Sequence, residues 1–131
     1  MKLQGRKIYK GKVEGEALVT SDDISFYGGV DPENGEVVEK NHELEGKSVA
    51  GKILVFPTGK GSTVGSYVLY SLKKAGKAPL AILNKSTDPV VAVGSIISEI
   101  PTVDKLEIEK LQTGQKLAVN ADEATVSLID G

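Results

Sequence analysis

Two uninterrupted apolar runs, Ile53–Phe56 and Leu80–Leu83, constrain most of what this chain can become. Neither alternates with polar residues, so each suits a strand covered on both faces, the habit of parallel sheets enclosed by other layers. Between them, over Ser62–Lys74, the residues Val64, Val68, Leu69 and Leu72 recur at three- and four-residue spacing. That spacing predicts a helix with one apolar face. Lys73 and Lys74 suit the negative end of its dipole, and Gly76 suits its C′ position. Strand, helix and strand in this order make a parallel unit with a right-handed crossover.

The flanks read differently. Arg6–Lys10 and Glu16–Thr20 predict short strands punctuated by Gly11 and Gly15. Asp31-Pro32-Glu33-Asn34-Gly35 is a turn, because proline presets one dihedral and Asn-Gly accepts positive φ. Asp88–Ile100 is apolar but contains Pro89 and Gly94, which predicts a buried loop with a short helix. Pro101–Val103 reads as a strand, and Asp104 as the cap of a short helix with Glu107 closing a capping box. Leu106 and Leu111 then face inward, and Thr113-Gly114 ends that helix. Lys116–Val119 and Thr125–Ile129 predict a last hairpin, turning at Asn120–Glu123. The sum is one α/β domain over residues 1–131, with a compact barrel-like or two-layer sheet core and two or three helices.

Composition removes several function classes. The chain has no cysteine and one histidine, so disulfides, thiolate zinc sites and a cysteine-held iron–sulfur cluster are not expected from it. A net charge of −2 with both signs dispersed gives no reason to expect nucleic acid or an anionic membrane. No apolar run reaches transmembrane length, and Met1–Lys12 carries no signal segment, so a soluble cytoplasmic protein is expected.

Chemistry is expected where the first buried strand meets the helix, over Pro57–Ser66 and chiefly at Pro57-Thr58-Gly59-Lys60-Gly61-Ser62-Thr63. Gly59 and Gly61 allow close backbone approach and positive φ. Ser62 stands at an N-cap position, where the first helical amides lack partners and favour a carboxylate, phosphate or alkoxide. Lys60 adds a mobile full charge beside it. The plain alternative is a capped turn with no ligand, and the local pattern alone leaves both readings open. A nucleotide P-loop is excluded: Leu54 stands where its first glycine belongs, and Gly61 where Ser or Thr must follow the lysine.

The run Lys52–Ser62, followed by Ala78-Pro79-Leu80-Ala81-Ile82 and Gly94-Ser95-Ile96-Ile97-Ser98-Glu99-Ile100-Pro101, resembles the small subunits of the aconitase X family over nearly the whole chain. Pro-x-Gly-Lys-Gly-Ser is the most specific part. The resemblance implies a swivelling β/β/α domain working against a separate large catalytic subunit that carries a 4Fe-4S cluster. It implies a heterodimer that dehydrates (R)-5-phosphomevalonate to trans-anhydromevalonate 5-phosphate in the archaeal mevalonate pathway to isoprenoids. The family's proton-accepting serine maps onto Ser62, and Gly59, Lys60, Gly61 and Thr63 become expected substrate contacts. A helix end supplies about 0.3–2 kcal/mol, against a barrier reduction of about 8–23 kcal/mol. Ser62 therefore cannot carry the reaction alone, and a metal acting on the leaving hydroxyl would have to come from another chain.

Other readings accompany this one. A dehydratase for another hydroxy acid, such as a hydroxyproline, and a non-catalytic anion-binding module both fit the glycine turn. His42 reads as an exposed or partly buried loop residue ahead of a substrate neighbour at the subunit boundary. Arg6 reads as a surface strand residue ahead of a bidentate phosphate or carboxylate contact, and Ser21-Asp22-Asp23 as a turn or cap ahead of an acid–base group. The stretch Val90–Ile100 reads either as core or as a contact surface for the larger chain.

Overall fold

A computed structural model describes residues 1–129. Its elements run β1 (Lys2–Gln4), β2 (Arg6–Tyr9), β3 (Lys12–Val19), a kinked single turn α1 (Phe26–Gly29), β4 (Ile53–Phe56), α2 (Gly65–Lys74), β5 (Ala81–Asn84), α3 (Pro89–Ile97), β6 (Thr102–Asp104), a 3-10 turn at Ile108–Lys110, β7 (Lys116–Asn120) and β8 (Thr125–Leu128). The strand order is β1-β8-β7-β3-β4-β5-β6-β2. Strands β3, β4, β5 and β6 pair in parallel, and the remaining pairings are antiparallel.

The apolar runs explain the layering. Every residue of β4 is buried. Ile53 and Val55 join Ala81, Leu83, Val103, Leu117, Val119 and Val126 on one face, between the parallel strands and the antiparallel ones. Leu54 and Phe56 join Ile82, Leu69, Leu72 and Val91 on the other, beneath α2 and α3. Alternate side chains of one strand thus feed two separate cores, and the result is sheet, sheet and helix in three layers. Phe56 also meets Phe26 edge to face, with centroids 6.0 Å apart. The α/β class and the swivelling β/β/α architecture hold.

Several local expectations are corrected. The chain does not break at Gly15: β3 runs unbroken through it, and Gly15 pairs with Leu117. Helix α2 begins at Gly65 rather than Ser62, and Val64 lies outside its apolar face, exposed. It ends as expected, with Lys77 N–H donating to Leu72 O and Gly76 N–H to Lys73 O, a Schellman closure. The short helix expected within Asp88–Ile100 is present but takes up most of the stretch in place of a buried loop: Pro89–Ile97 is a nine-residue helix, capped by the Asp88 carboxylate on Val90 N–H. Proline at the first helical position favours this start. Asp104 caps nothing: it ends β6, fully buried, where its carboxylate accepts two bonds from Arg6, at 3.0 and 2.8 Å, and one from Thr87 N–H at 2.9 Å. Arg6 is thus a surface strand residue with a structural task. No helix of the described residues is long and apolar enough to cross a membrane.

Candidate active site

Three chain exits meet at the carboxyl ends of β3, β4 and β5, where parallel sheets commonly bind ligands. Pro57 O accepts N–H groups from Lys85 and Ser86, each at 3.1 Å, which ties the exit of β4 to that of β5. On the other side Ile24 N–H donates to Thr58 O at 3.3 Å, and Lys60 N–H to Ile24 O at 3.0 Å. Gly59 N–H donates to Asp88 Oδ1 at 3.0 Å. The Gly59 amide is therefore engaged within the protein. A Cβ on Gly59 would lie 2.4 Å from Asp88 Oδ1 and 2.7 Å from Val91 Cγ2, so glycine is required for close approach to α3.

Gly61 sits at φ +88, and a Cβ there would meet Ser25 Oγ at 2.5 Å. The left-handed residue turns the chain outward, and Ser62, Thr63 and Val64 are exposed. Ser62 Oγ accepts Val64 N–H at 3.1 Å. Gly65 N–H donates to Ser62 O, and Ser66 N–H to Thr63 O, at 3.0 and 3.2 Å, so a tight turn precedes α2. Ser62 heads that turn; the cap of the helix proper is Val64, without a side-chain bond. Among the described residues the amides of Gly61, Ser62 and Thr63 have no protein acceptor. Three successive amides without a protein acceptor, beside a left-handed residue, favour negative charge nearby.

Lys60 is less free than its sequence context implied. Its ammonium lies 2.9 Å from Glu39 Oε2. The hydrogen bond and charge of Glu39, with Asp23 and Asp22 behind it, push its pKa above the ordinary lysine value. Three carboxylates around one ammonium leave the loop's surroundings negative.

A clasp braces this end. Thr20 Oγ1 and Ser21 N–H donate to Glu43 Oε1 at 2.6 and 2.9 Å, and Glu43 N–H donates back to Asp22 Oδ2 at 2.8 Å. The Thr20 hydroxyl, then the Ser21 amide, hold the Glu43 carboxyl below its usual range. His42 is buried beside it. Its Nδ1 accepts Leu44 N–H at 3.0 Å, so its Nε2 carries the proton donated to Asp23 O, also 3.0 Å away. Ser21, Asp22 and Asp23 thus form a turn, and His42 fixes it.

Past Ser62, the exposed side chains Val64, Tyr67, Val93 and Ile97 border a shallow apolar depression between α2 and α3. Sequence reasoning brought Pro57–Thr63 together and missed Ile24, Ser25, Glu39 and Asp88 around it. Only Asp88-Pro89 carried a readable signal, that of a capped helix start. The chain's residues do not fit an iron–sulfur cluster: cysteine is absent, and the described residues contain no group of three His, Asp or Glu side chains able to hold a metal ion.

The model of the aconitase X swivel domain matches residues 2–128. The phosphomevalonate dehydratase small subunit of Thermococcus gammatolerans is 54% identical, with 100% of both chains covered. That of Methanosarcina acetivorans is 58% identical, covering 98% of this chain and 92% of its own. A crystal structure of Thermococcus kodakaraensis aconitase X, in its holo-form, superimposes with a TM-score of 0.98 at 54% identity over 99% of each chain. This chain belongs to the aconitase X swivel-domain family.

Proposed function

We propose that this chain is the small subunit of a phosphomevalonate dehydratase and that Ser62 accepts the proton in the reaction. The observation that carries the reading is the Ser62 hydroxyl itself, exposed at the carboxyl end of the parallel strands, its Oγ accepting Val64 N–H at 3.1 Å. A hydrogen bond into that oxygen favours its ionised form. The free amides of Gly61, Ser62 and Thr63 favour a negative group alongside. In dehydration the Ser62 hydroxyl first gives up its own proton, and the carbon next to the carboxylate then gives its proton to the ionised Ser62 Oγ, restoring the hydroxyl. The C–H electron pair becomes the double bond, and hydroxide leaves the neighbouring carbon. Assistance to that departure belongs to the larger partner chain, to which the reading assigns the iron–sulfur cluster that these residues do not fit.

The charge balance divides the substrate between the two chains. Amides of Gly61 and Thr63 suit the carboxylate. Lys60, although paired with Glu39, stands beside the same substrate carboxylate, and cations for the phosphate fall to the partner. Gly59 serves the loop's geometry rather than a substrate contact. The apolar side chains of Val64, Tyr67, Val93 and Ile97, continuous with the loop, suit a seat for that partner. A cytoplasmic heterodimer belongs to the same reading.

The experiment is Ser62→Ala in the enzyme reconstituted from both chains, with assembly verified and hydroxyproline assayed beside phosphomevalonate. Loss of a general base lowers kcat by about 10²–10⁴-fold. Near-normal turnover of Ser62→Ala would sink the proton-acceptor role, and turnover of hydroxyproline alone would sink the substrate.

A further inference from the structure

The carboxylate of Asp88 faces two elements at once. Oδ2 accepts Val90 N–H at 3.0 Å and caps α3, while Oδ1 accepts Gly59 N–H at 3.0 Å. One acceptor is enough for a helix cap. The second bond joins the serine loop to α3, three residues before Ser62. The far end of the loop is tied to the same helix: Ser66 Oγ donates to Val90 O at 2.7 Å. A Cβ on Gly94 would lie 2.6 Å from Leu69 Cδ1 and 3.2 Å from Ser66 Cα, so α2 and α3 are in close backbone contact there. Residues 59–66 are thus bracketed by the first turn of α3, and Ile24 holds the loop's other flank. Within the bracket, Lys60 N–H donates to Ile24 O. Val64 N–H donates to Ser62 Oγ, Gly65 N–H to Ser62 O and Ser66 N–H to Thr63 O, which tie Ser62 only to the α2 side, while the amides of residues 61–63 have no protein acceptor. The direction of the Ser62 hydroxyl therefore depends on where the ends are held.

We infer that Asp88 is a positioning residue for Ser62: its bond to Gly59 sets where the hydroxyl and the free amides of Gly61–Thr63 point. The inference rests on the proton-acceptor reading of Ser62. Asp88→Ser separates the two tasks of the carboxylate, because serine caps a helix as well as aspartate does but has a single oxygen and a shorter reach.

Two measurements test it. In the full chain without its partner, amide NMR spectra of Asp88→Ser should shift or broaden the signals of Gly59–Thr63 and leave β4 and β5 in place. Unmoved loop signals overturn the inference whatever the activity. In the reconstituted enzyme, Asp88→Ser should lower kcat about ten- to hundredfold, the scale of a reacting group misplaced by about 1 Å, with KM changed far less. On a Ser62→Ala background the same substitution should add little further loss, since both act on one step. An equal loss on both backgrounds, or wild-type kcat in Asp88→Ser, overturns the positioning role. A near-normal Ser62→Ala enzyme overturns the proton-acceptor reading instead, and the loop spectra still decide whether Asp88 holds the segment.

Discussion

The ammonium of Lys60 and the carboxylate of Glu39 lie 2.9 Å apart across 21 residues of chain, so the cation beside Ser62 is matched before any substrate arrives. Replacing Glu39 by Gln releases it. Freed to meet the substrate carboxylate, Lys60 should lower KM in Glu39→Gln by about two- to fivefold, the scale of one exposed charge interaction, with kcat nearly unchanged. Lys60→Met should raise KM. Steady-state kinetics of the two-chain enzyme decide. A raised KM in Glu39→Gln would mean that Lys60 serves the loop, with its partner, and not the substrate.

The clasp at Glu43 gives a pH dependence whose sign follows from its depressed pKa. A carboxyl that ionises more readily when folded stabilises the fold above its ordinary pKa, near 4.5, and loses that contribution as pH falls through the lower folded value. Urea unfolding of the wild type and Glu43→Gln should therefore differ by a constant amount from neutral pH down to that ordinary value. Below it the two should converge. A gap that widens on acidification would contradict the assignment.

Tyr67 is 67% exposed in this chain, on the apolar surface next to Ser62. Tyr67→Lys should leave the lone chain's stability within about 0.5 kcal/mol, as surface changes do. A buried aromatic anchor is worth about 2 kcal/mol or more at an interface, so affinity for the large chain should fall about thirtyfold. Titration calorimetry or quantitative co-purification measures it. Unchanged affinity would place the partner elsewhere.

The parallel core was legible because Ile53–Phe56 and Leu80–Leu83 carry no polar residue that a solvent-facing strand would need, although β5 is shifted by one residue, leaving Leu80 exposed and taking in the buried Asn84. The serine loop was legible from its glycines and its place between a buried strand and an amphipathic helix. Helix α3 was legible only as a short helix within a loop, without its bounds, because Pro89 and Gly94 count locally as breakers. In the fold, proline sits where a helix start prefers it, and Gly94 admits the backbone of α2. Asp104 has the local look of a cap, yet its partner Arg6 lies 98 positions away. Lys60 looked unpaired for the same reason. Pairings that close only through tertiary contact leave no trace in local spacing.

Strand β3 is shared property: Lys12–Glu16 pair with β7 in the antiparallel layer, and Ala17–Val19 with β4 in the parallel one. No cut separates the two layers without tearing this one segment. Heat or denaturant should therefore meet a single cooperative block in which neither layer melts while the other stands.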